Sequence, residues 1–350
     1  MASTPENAAP PVHQTGIGRT LSQIVFRPWD CQIVAAAVRF GLAEKLSERP
    51  RPANWFAAEI GGDPATTERF LLACGVIGLV ERNAEHDFAL TELGAALRAG
   101  ENTMPNMALM NMSEGMWSRM SRLPETILTG RPVRDANGED LYDYYAHNPS
   151  ERGWHAAAMA DLSNDAGLAL AEQFDFGPYN KVVDIGGSMG VLLSKVLTAA
   201  SHVSGTVFDL PKIVESAQQA APAYRLGDRL VFEGGNFFSD DVPKGDLYLI
   251  KQVLCDWSDE DAARILANTY RGAPSGSVLA VVEWARPDDP QPNHLDIMSL
   301  CLEVVTGGRV RTESEFVALI ESVGYRFEAA TTVASGISPR PWNVLQAVRP

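Results

Sequence analysis

The sequence predicts an α/β domain preceded by an all-helical one, and three observations carry that expectation. From Tyr179 onward short apolar runs alternate with helical stretches. One of those runs, residues 182–185, breaks into the turn Gly186-Gly187-Ser188-Met189-Gly190. Before Tyr179 the apolar residues recur at helical spacing instead. Alternating strands and helices build a parallel sheet covered on both faces, with ligands bound outside the carboxyl ends of its strands.

Taken in chain order, residues 1–17 carry no basic stretch followed by an apolar core and read as an uncleaved, disordered tail. Residues 18–172 form the expected helical domain. Within residues 21–46, Ile24, Trp29, Ile33, Val34, Ala37, Val38 and Leu42 fall on one helical stripe. Two further helical stretches, residues 54–63 and 64–80, and then Phe88-Ala-Leu-Thr, predict a winged helix. Such a unit can read DNA through its second helix, yet here that helix offers Arg69 among Thr66, Thr67 and Glu68, flanked by Glu59 and Asp63. This surface suits packing or dimerisation, and a metabolite-sensing DNA regulator stays the remote alternative. Six of the ten methionines lie in residues 104–123, consistent with a helical lid or dimer seam. Residues 173–350 form the expected sheet domain, with strands at 182–185, 205–208, 230–233, 247–252 and 278–284 and a closing hairpin near Phe327 and Trp342.

Composition narrows the partners. The net charge of −15 gives no basic surface for a nucleic-acid backbone, so a small-molecule substrate is expected. Cys31, Cys74, Cys255 and Cys301 show no C-x-x-C spacing and no histidine cluster, which predicts neither disulfides nor a metal site and fits a cytoplasmic protein. No stretch approaches the run of about 18 apolar residues that spans a membrane.

The glycine turn also selects its ligand. Asp184 stands two residues before Gly186, giving D-x-G-G-x-x-G rather than the G-x-G-x-x-G of a dinucleotide site. A carboxylate inside the turn repels a pyrophosphate and welcomes an ammonium, such as that of S-adenosylmethionine. Asp209 ends the next apolar run, where an acid binds ribose hydroxyls.

Six ordered segments extend the pattern: Val183-Asp184-Ile-Gly-Gly-Ser-Met-Gly190, Val207-Phe-Asp209-Leu-Pro211, Gly234-Gly-Asn236-Phe-Phe238, Gly245-Asp-Leu-Tyr-Leu-Ile-Lys251, Leu254-Cys-Asp256-Trp257-Ser-Asp, and Gly307-Gly-Arg-Val-Arg-Thr312. From about Ile24 onward the chain resembles the S-adenosylmethionine-dependent small-molecule O-methyltransferases, of the caffeate and acetylserotonin type. The resemblance implies a Rossmann-like class I methyltransferase domain behind a winged-helix dimerisation domain, a homodimer, and S-adenosylmethionine as cofactor. It implies that Asp184, Gly186 and Gly187 hold the methionine part, Asp209 and Leu210 the ribose, and Asn236, Phe237, Lys251 and Trp257 the adenosine. Asn236 stands where the family usually has Asp, and its amide oxygen can still accept a hydrogen bond.

Two departures concern the chemistry. Cys255 occupies the place of the family's general-base histidine, and Val310 that of the glutamate that steers it, while Asp256 and Glu283 remain as matching carboxylates. Cys255 could serve as a thiolate, which requires a cationic neighbour to lower its pKa. Methyl transfer could instead proceed by orientation alone to a nitrogen, a carbon or an acidic hydroxyl, the reading that the residues favour. Relatives of this fold also resemble it while catalysing hydroxylation or pericyclic reactions, which leaves non-methylating chemistry as the alternative. On the substrate side the resemblance implies Trp117, Trp154, Met159, Asp161 and Met298. His155 and His294 fall in the same regions as candidate replacement bases.

Overall fold

A computed structural model of the chain describes residues 12–98, 100, 103–289, 291–337 and 340–350. The chain forms two compact units, Met1–Ala99 and Gly100–Pro350. No helix among the described residues is long and apolar enough to cross a membrane.

The first unit runs α1 (Val12–Arg39), α2 (Leu42–Lys45), α3 (Ala53–Ile60), α4 (Pro64–Val76), β1 (Val80–Arg82), β2 (Phe88–Leu90) and α5 (Glu92–Ala95). Of the tail expected over residues 1–17, residues 1–11 lie outside the described residues, whereas 12–17 begin α1. The single helix expected over residues 21–46 is broken at Gly41, whose φ of 66° ends α1 and starts α2. Asp63 caps α4 by accepting the Thr66 N–H at 2.8 Å, with Pro64 in the first turn where its missing N–H costs nothing. β1 and β2 pair antiparallel as the wing. Phe56, Leu71, Cys74, Leu79 and Phe88 form the core with Ala37 and Leu42. Only the C-terminal half of the predicted α1 stripe joins it: Ile33 and Val34 pack against that core, while Leu21, Ile24, Val25 and Trp29 are 57–66% exposed.

The second unit opens with α6 (Pro105–Asn111), α7 (Glu114–Met120), α8 (Leu123–Thr129), α9 (Leu141–His147) and α10 (Pro149–Gln173). It continues as β3 (Lys181–Ile185), α11 (Val191–Ala199), β4 (Ser204–Asp209), α12 (Pro211–Ala220), β5 (Leu230–Gly234), β6 (Leu247–Lys251), α13 (Asp259–Gly272), β7 (Val278–Glu283), α14 (His294–Val305), α15 (Glu313–Ser322), β8 (Arg326–Val333) and β9 (Trp342–Val348). The sheet order is β5-β4-β3-β6-β7-β9-β8, with the first five strands parallel and the β8–β9 hairpin antiparallel at one edge. Successive strand residues face opposite sides. Val182, Val207 and Leu249 accordingly enter the core under α10 and α11, and Val183, Phe208, Tyr248 and Ile250 the core under α13 and α15.

The boundary expected at 172/173 moves to 99/100. The cause is α10, whose Leu162, Ala166, Ala169 and Leu170 pack into the same core as Val182, Leu192 and Val196 and so cover one face of the sheet. In its C-terminal half, Asp165 accepts from Trp342 Nε1 at 2.8 Å, the Ser335 hydroxyl at 2.6 Å and the Gly336 N–H at 2.8 Å, tying α10 to the hairpin.

Candidate active site

The chain leaves β3 for β4 and β5 on one side and returns to β6 on the other, so a crevice opens at the carboxyl ends of β3 and β6. The strand period places Asp184, Asp209 and Lys251 on one side of the sheet at this point, the side of Val182, Val207 and Leu249.

Gly186 turns the chain with a φ of 72°, and a Cβ on Gly187 would lie 2.5 Å from Asp184 Oδ2. Glycine at 187 is therefore what allows the carboxylate to lie beneath the loop. Asp184 is 2% exposed, and its Oδ2 has no hydrogen-bond partner among the described residues. Burial pushes its carboxyl up to about 7, with Lys251 opposing the shift and Asp209 adding to it. A buried carboxylate oxygen without a donor is costly, so the site fits a ligand that brings an ammonium.

Asp209 is held from both sides: Oδ2 accepts the Ser188 N–H at 2.8 Å and Oδ1 the Leu210 N–H at 2.7 Å. Ser188 reaches it from the left-handed region, at φ 50°. Burial raises this carboxyl and the two amides lower it. Each oxygen keeps a lone pair for one of two vicinal hydroxyls.

The segment after β5, where the resemblance places the adenosine, forms the neighbouring wall. Asn236 Oδ1 accepts the Phe238 N–H at 2.9 Å, and its own N–H donates to Asp240 Oδ2 at 2.9 Å. Asn268 of α13 fixes the segment by donating to the Phe237 and Asp240 carbonyls at 2.9 and 2.8 Å. Trp257 meets Phe237 and Phe238 edge to face, at 6.2 and 4.9 Å. A Cβ on Gly186 would lie 2.8 Å from Val253 Cγ2 and 3.7 Å from Phe237 Cε1, so glycine loop, Phe237 and the turn after β6 converge. Lys251, 5.9 Å from the Trp342 ring, has its ammonium pushed down by burial and held up by Asp184, Glu283, Cys255 and Asp256.

Cys255 and Asp256 lie on a 3₁₀ turn, Leu254–Asp256. Arg311, itself 1% exposed, pins this turn: Nη1 donates to the Leu254 carbonyl at 2.6 Å, Nη2 to the Trp257 carbonyl at 2.8 Å and Nε to Asp259 at 2.8 Å. A Cβ on Gly308 would clash with the Cys255 carbonyl, so the 307–312 segment lies directly against the turn. The Cys255 N–H donates to Glu283 Oε1 at 3.4 Å. Burial, then Glu283 and Asp256, push the Cys255 thiol well above its ordinary range. Burial also pushes Glu283 up to about 7 and Asp256 up to about 6. Val310 is buried, and its N–H donates to the Ser299 hydroxyl at 3.1 Å.

Among the residues expected on the substrate side, Met159 packs against two of the apolar cores. Asp161 accepts from Asn106 Nδ2 at 3.0 Å, and burial raises its carboxyl. Trp154 and Met298 are half-buried on α10 and α14. His155 lies 5.1 Å from the Tyr145 ring and 6.1 Å from the Tyr142 ring, and burial disfavours its charged form. His294 is exposed at the first position of α14 and Trp117 is exposed on α7, so neither joins the buried group around Cys255. Sequence reasoning missed Tyr142, whose hydroxyl donates to Asp256 Oδ2 at 3.3 Å. The aromatic run Leu141-Tyr-Asp-Tyr-Tyr145 was its only visible sign.

The chain has marked likenesses to known proteins. A model of the O-methyltransferase domain matches residues 120–326. O-demethylpuromycin-O-methyltransferase of Streptomyces alboniger is 33% identical over 98% of this chain and 92% of its own. The 8-amino-8-demethylriboflavin N,N-dimethyltransferase of Streptomyces davaonensis is 29% identical over 84% of this chain and 86% of its own. The crystal structure of CalO1, a methyltransferase in calicheamicin biosynthesis in its SAH-bound form, superimposes with a TM-score of 0.80 at 25% identity, covering 98% of this chain and 100% of that one.

Proposed function

The chain belongs to the O-methyltransferase family and is an S-adenosylmethionine-dependent methyltransferase, and from that premise we propose that it methylates a small aromatic or heterocyclic natural product without a histidine base. The observation that carries this reading is the setting of Cys255. A thiolate base needs a cation to lower its pKa, and although Lys251 acts in that direction here, burial and the carboxylates of Glu283 and Asp256 outweigh it and push this thiol upward. When bound, S-adenosylmethionine supplies an activated methyl group on a sulfonium. Asp184 and the glycine turn are arranged to seat its methionine part and Asp209 its ribose, so the chain's main contribution is alignment, worth about 7–11 kcal/mol in favourable cases.

An acceptor that needs no deprotonation before it attacks suits such a site: an arylamine nitrogen with its free lone pair, an enol carbon or a hydroxyl already ionised near neutral pH. The N,N-dimethyltransferase among the relatives supports a nitrogen acceptor. In an assay of SAH formation across an acceptor panel, arylamines and hydroxyls with pKa near or below 7 are expected to outpace ordinary phenols by about 10²-fold or more, the usual contribution of a general base. Fastest turnover on phenols of pKa about 10 would overturn the proposal. Cys255→Ala is expected to lower kcat/KM by less than about tenfold, and a loss of about 10²–10⁴-fold would assign the thiol a base's role.

Homodimerisation is the second part of the proposal. The exposed Leu21, Ile24, Val25 and Trp29 of α1 support it, since a large apolar patch invites a partner, and a second copy of the chain offers the same patch. Light scattering should find a dimer that Ile24→Asp with Trp29→Asp converts to monomer; an unchanged mass would exclude α1 from the interface. On α4, Glu68 pairs with Arg82 of the wing at 3.1 Å, which occupies a cation that a DNA backbone would need and so favours dimerisation over DNA reading. Four unpaired cysteines support a cytoplasmic location.

A further inference from the structure

We propose that Tyr142 is a positioning residue for methyl transfer: its hydroxyl holds Asp256 Oδ2 so that the other oxygen, Oδ1, receives the proton of the acceptor. This rests on the functional reading above and adds the group that takes the proton once histidine is gone.

The geometry spans two parts of the second unit. Tyr142 lies on α9, far in sequence from the turn that carries Asp256, and its hydroxyl crosses that gap to donate at 3.3 Å. The ring does not stand alone, because His155 of α10 lies edge to face against it at 6.1 Å, and Tyr145 packs on His155 at 5.1 Å. Tyr145 is 3% exposed, and its hydroxyl has no partner among the described residues. An unsatisfied buried hydroxyl in this aromatic group marks a place where a polar atom of a bound acceptor would be stabilised. Tyr142 itself is exposed, with 48% of its surface open.

The groups that face Asp256 come from every side. Tyr142 approaches from α9 with His155 behind it, Lys251 from β6, Glu283 from β7, and Cys255 from the same turn. The Tyr142 hydrogen bond and Lys251 both favour the ionised carboxylate against the burial that opposes it. Cys255 is itself a weak acid kept protonated, which leaves the carboxylates as the acceptors of a proton here.

The step balances without another reactant. The acceptor lone pair forms the new bond to the methyl carbon, the electrons of the broken C–S bond return to sulfur, and the acceptor's proton passes to Asp256 Oδ1 and from there to solvent. A carboxylate is a weaker base than imidazole, so it serves an acceptor that becomes strongly acidic as the methyl arrives, as an arylamine nitrogen does.

The sign of the pH effect follows. Activity requires Asp256 ionised and therefore rises with pH through its pKa, about 6. Removing a donor that favours the ionised form moves that rise to higher pH. In Tyr142→Phe the acid limb of kcat/KM is expected to shift upward by about one pH unit, the effect of losing a hydrogen bond to a charged group at a partly open site. Turnover should fall about tenfold below the limb and recover to within about twofold above it, with KM changing less than kcat. Measured at saturating S-adenosylmethionine, Asp256→Asn should lose the limb near 6 that Asp256 contributes. Infrared spectroscopy of the resting protein without cofactor supplies a second readout: the protonated carboxyl band absent from Asp256→Asn should persist to higher pH in Tyr142→Phe than in wild type. An unmoved limb and an unmoved band in Tyr142→Phe would overturn the proposal, as would an Asp256→Asn enzyme that keeps the wild-type limb. If no acceptor yields SAH with the wild-type protein, the methyltransfer reading fails, while the infrared comparison still decides whether Tyr142 controls Asp256.

Discussion

Asp209→Ala is expected to weaken S-adenosylmethionine binding by about 10²–10⁴-fold, read by calorimetry on the folded protein. Two hydrogen bonds from ribose to a charged acceptor are worth about 1.5–3 kcal/mol each, and a tenfold change in Kd is about 1.4 kcal/mol. The structure makes this carboxylate an unusually well prepared acceptor, because the Ser188 and Leu210 amides already fix both oxygens. Asp209→Asn should fall between, since its amide nitrogen turns one of those backbone donors into a repulsive neighbour. A Kd within threefold of wild type in Asp209→Ala would remove the ribose assignment.

Arg311→Leu carries the second large effect. It strands the buried Leu254 carbonyl, at about 1–3 kcal/mol, and the part-buried Trp257 carbonyl, at less, so a loss of about 1–5 kcal/mol is expected in urea unfolding. Methyl transfer should suffer more than stability alone dictates, because the turn released is the one that presents Asp256 and the Trp257 wall. Arg311→Lys keeps the charge and loses the planar fork that serves three acceptors at once, and should recover only part of either property. Wild-type unfolding and wild-type turnover in Arg311→Leu would show that the turn holds itself.

Much of this was legible in the sequence, and the reason is local. A strand that ends in Asp184-Ile-Gly-Gly can be read from neighbouring residues, since the turn, the close approach at Gly187 and the acid beneath it are all set within a few positions. The alternation that buries Val182 on one side and Val183 on the other is equally a near-neighbour property. What escaped depends on contacts distant in sequence. Helical periodicity shows that α10 has an apolar stripe but not that the stripe belongs to the sheet, and so the domain boundary fell more than seventy residues late. The same blindness affects α1, whose stripe is real although half of it remains exposed on the chain. Tyr142 was invisible as a site residue because its partner, Asp256, lies 114 positions away. The loss of histidine at 255 was readable, but the environment that keeps the thiol protonated required Glu283 and Asp256 to be seen around it.

The central claim is that the cofactor site formed by Asp184, Gly186 and Asp209 serves methyl donation although position 255 carries no histidine. A single-turnover reaction with S-adenosylmethionine labelled in its methyl group tests it most directly, with enzyme in excess and an arylamine or acidic hydroxyl acceptor identified by the SAH assay. Label is expected in the product in a one-to-one ratio with SAH, and Cys255→Ala is expected to do the same at nearly the wild-type rate. Conversion of the acceptor to an unlabelled product with S-adenosylmethionine recovered intact would contradict it.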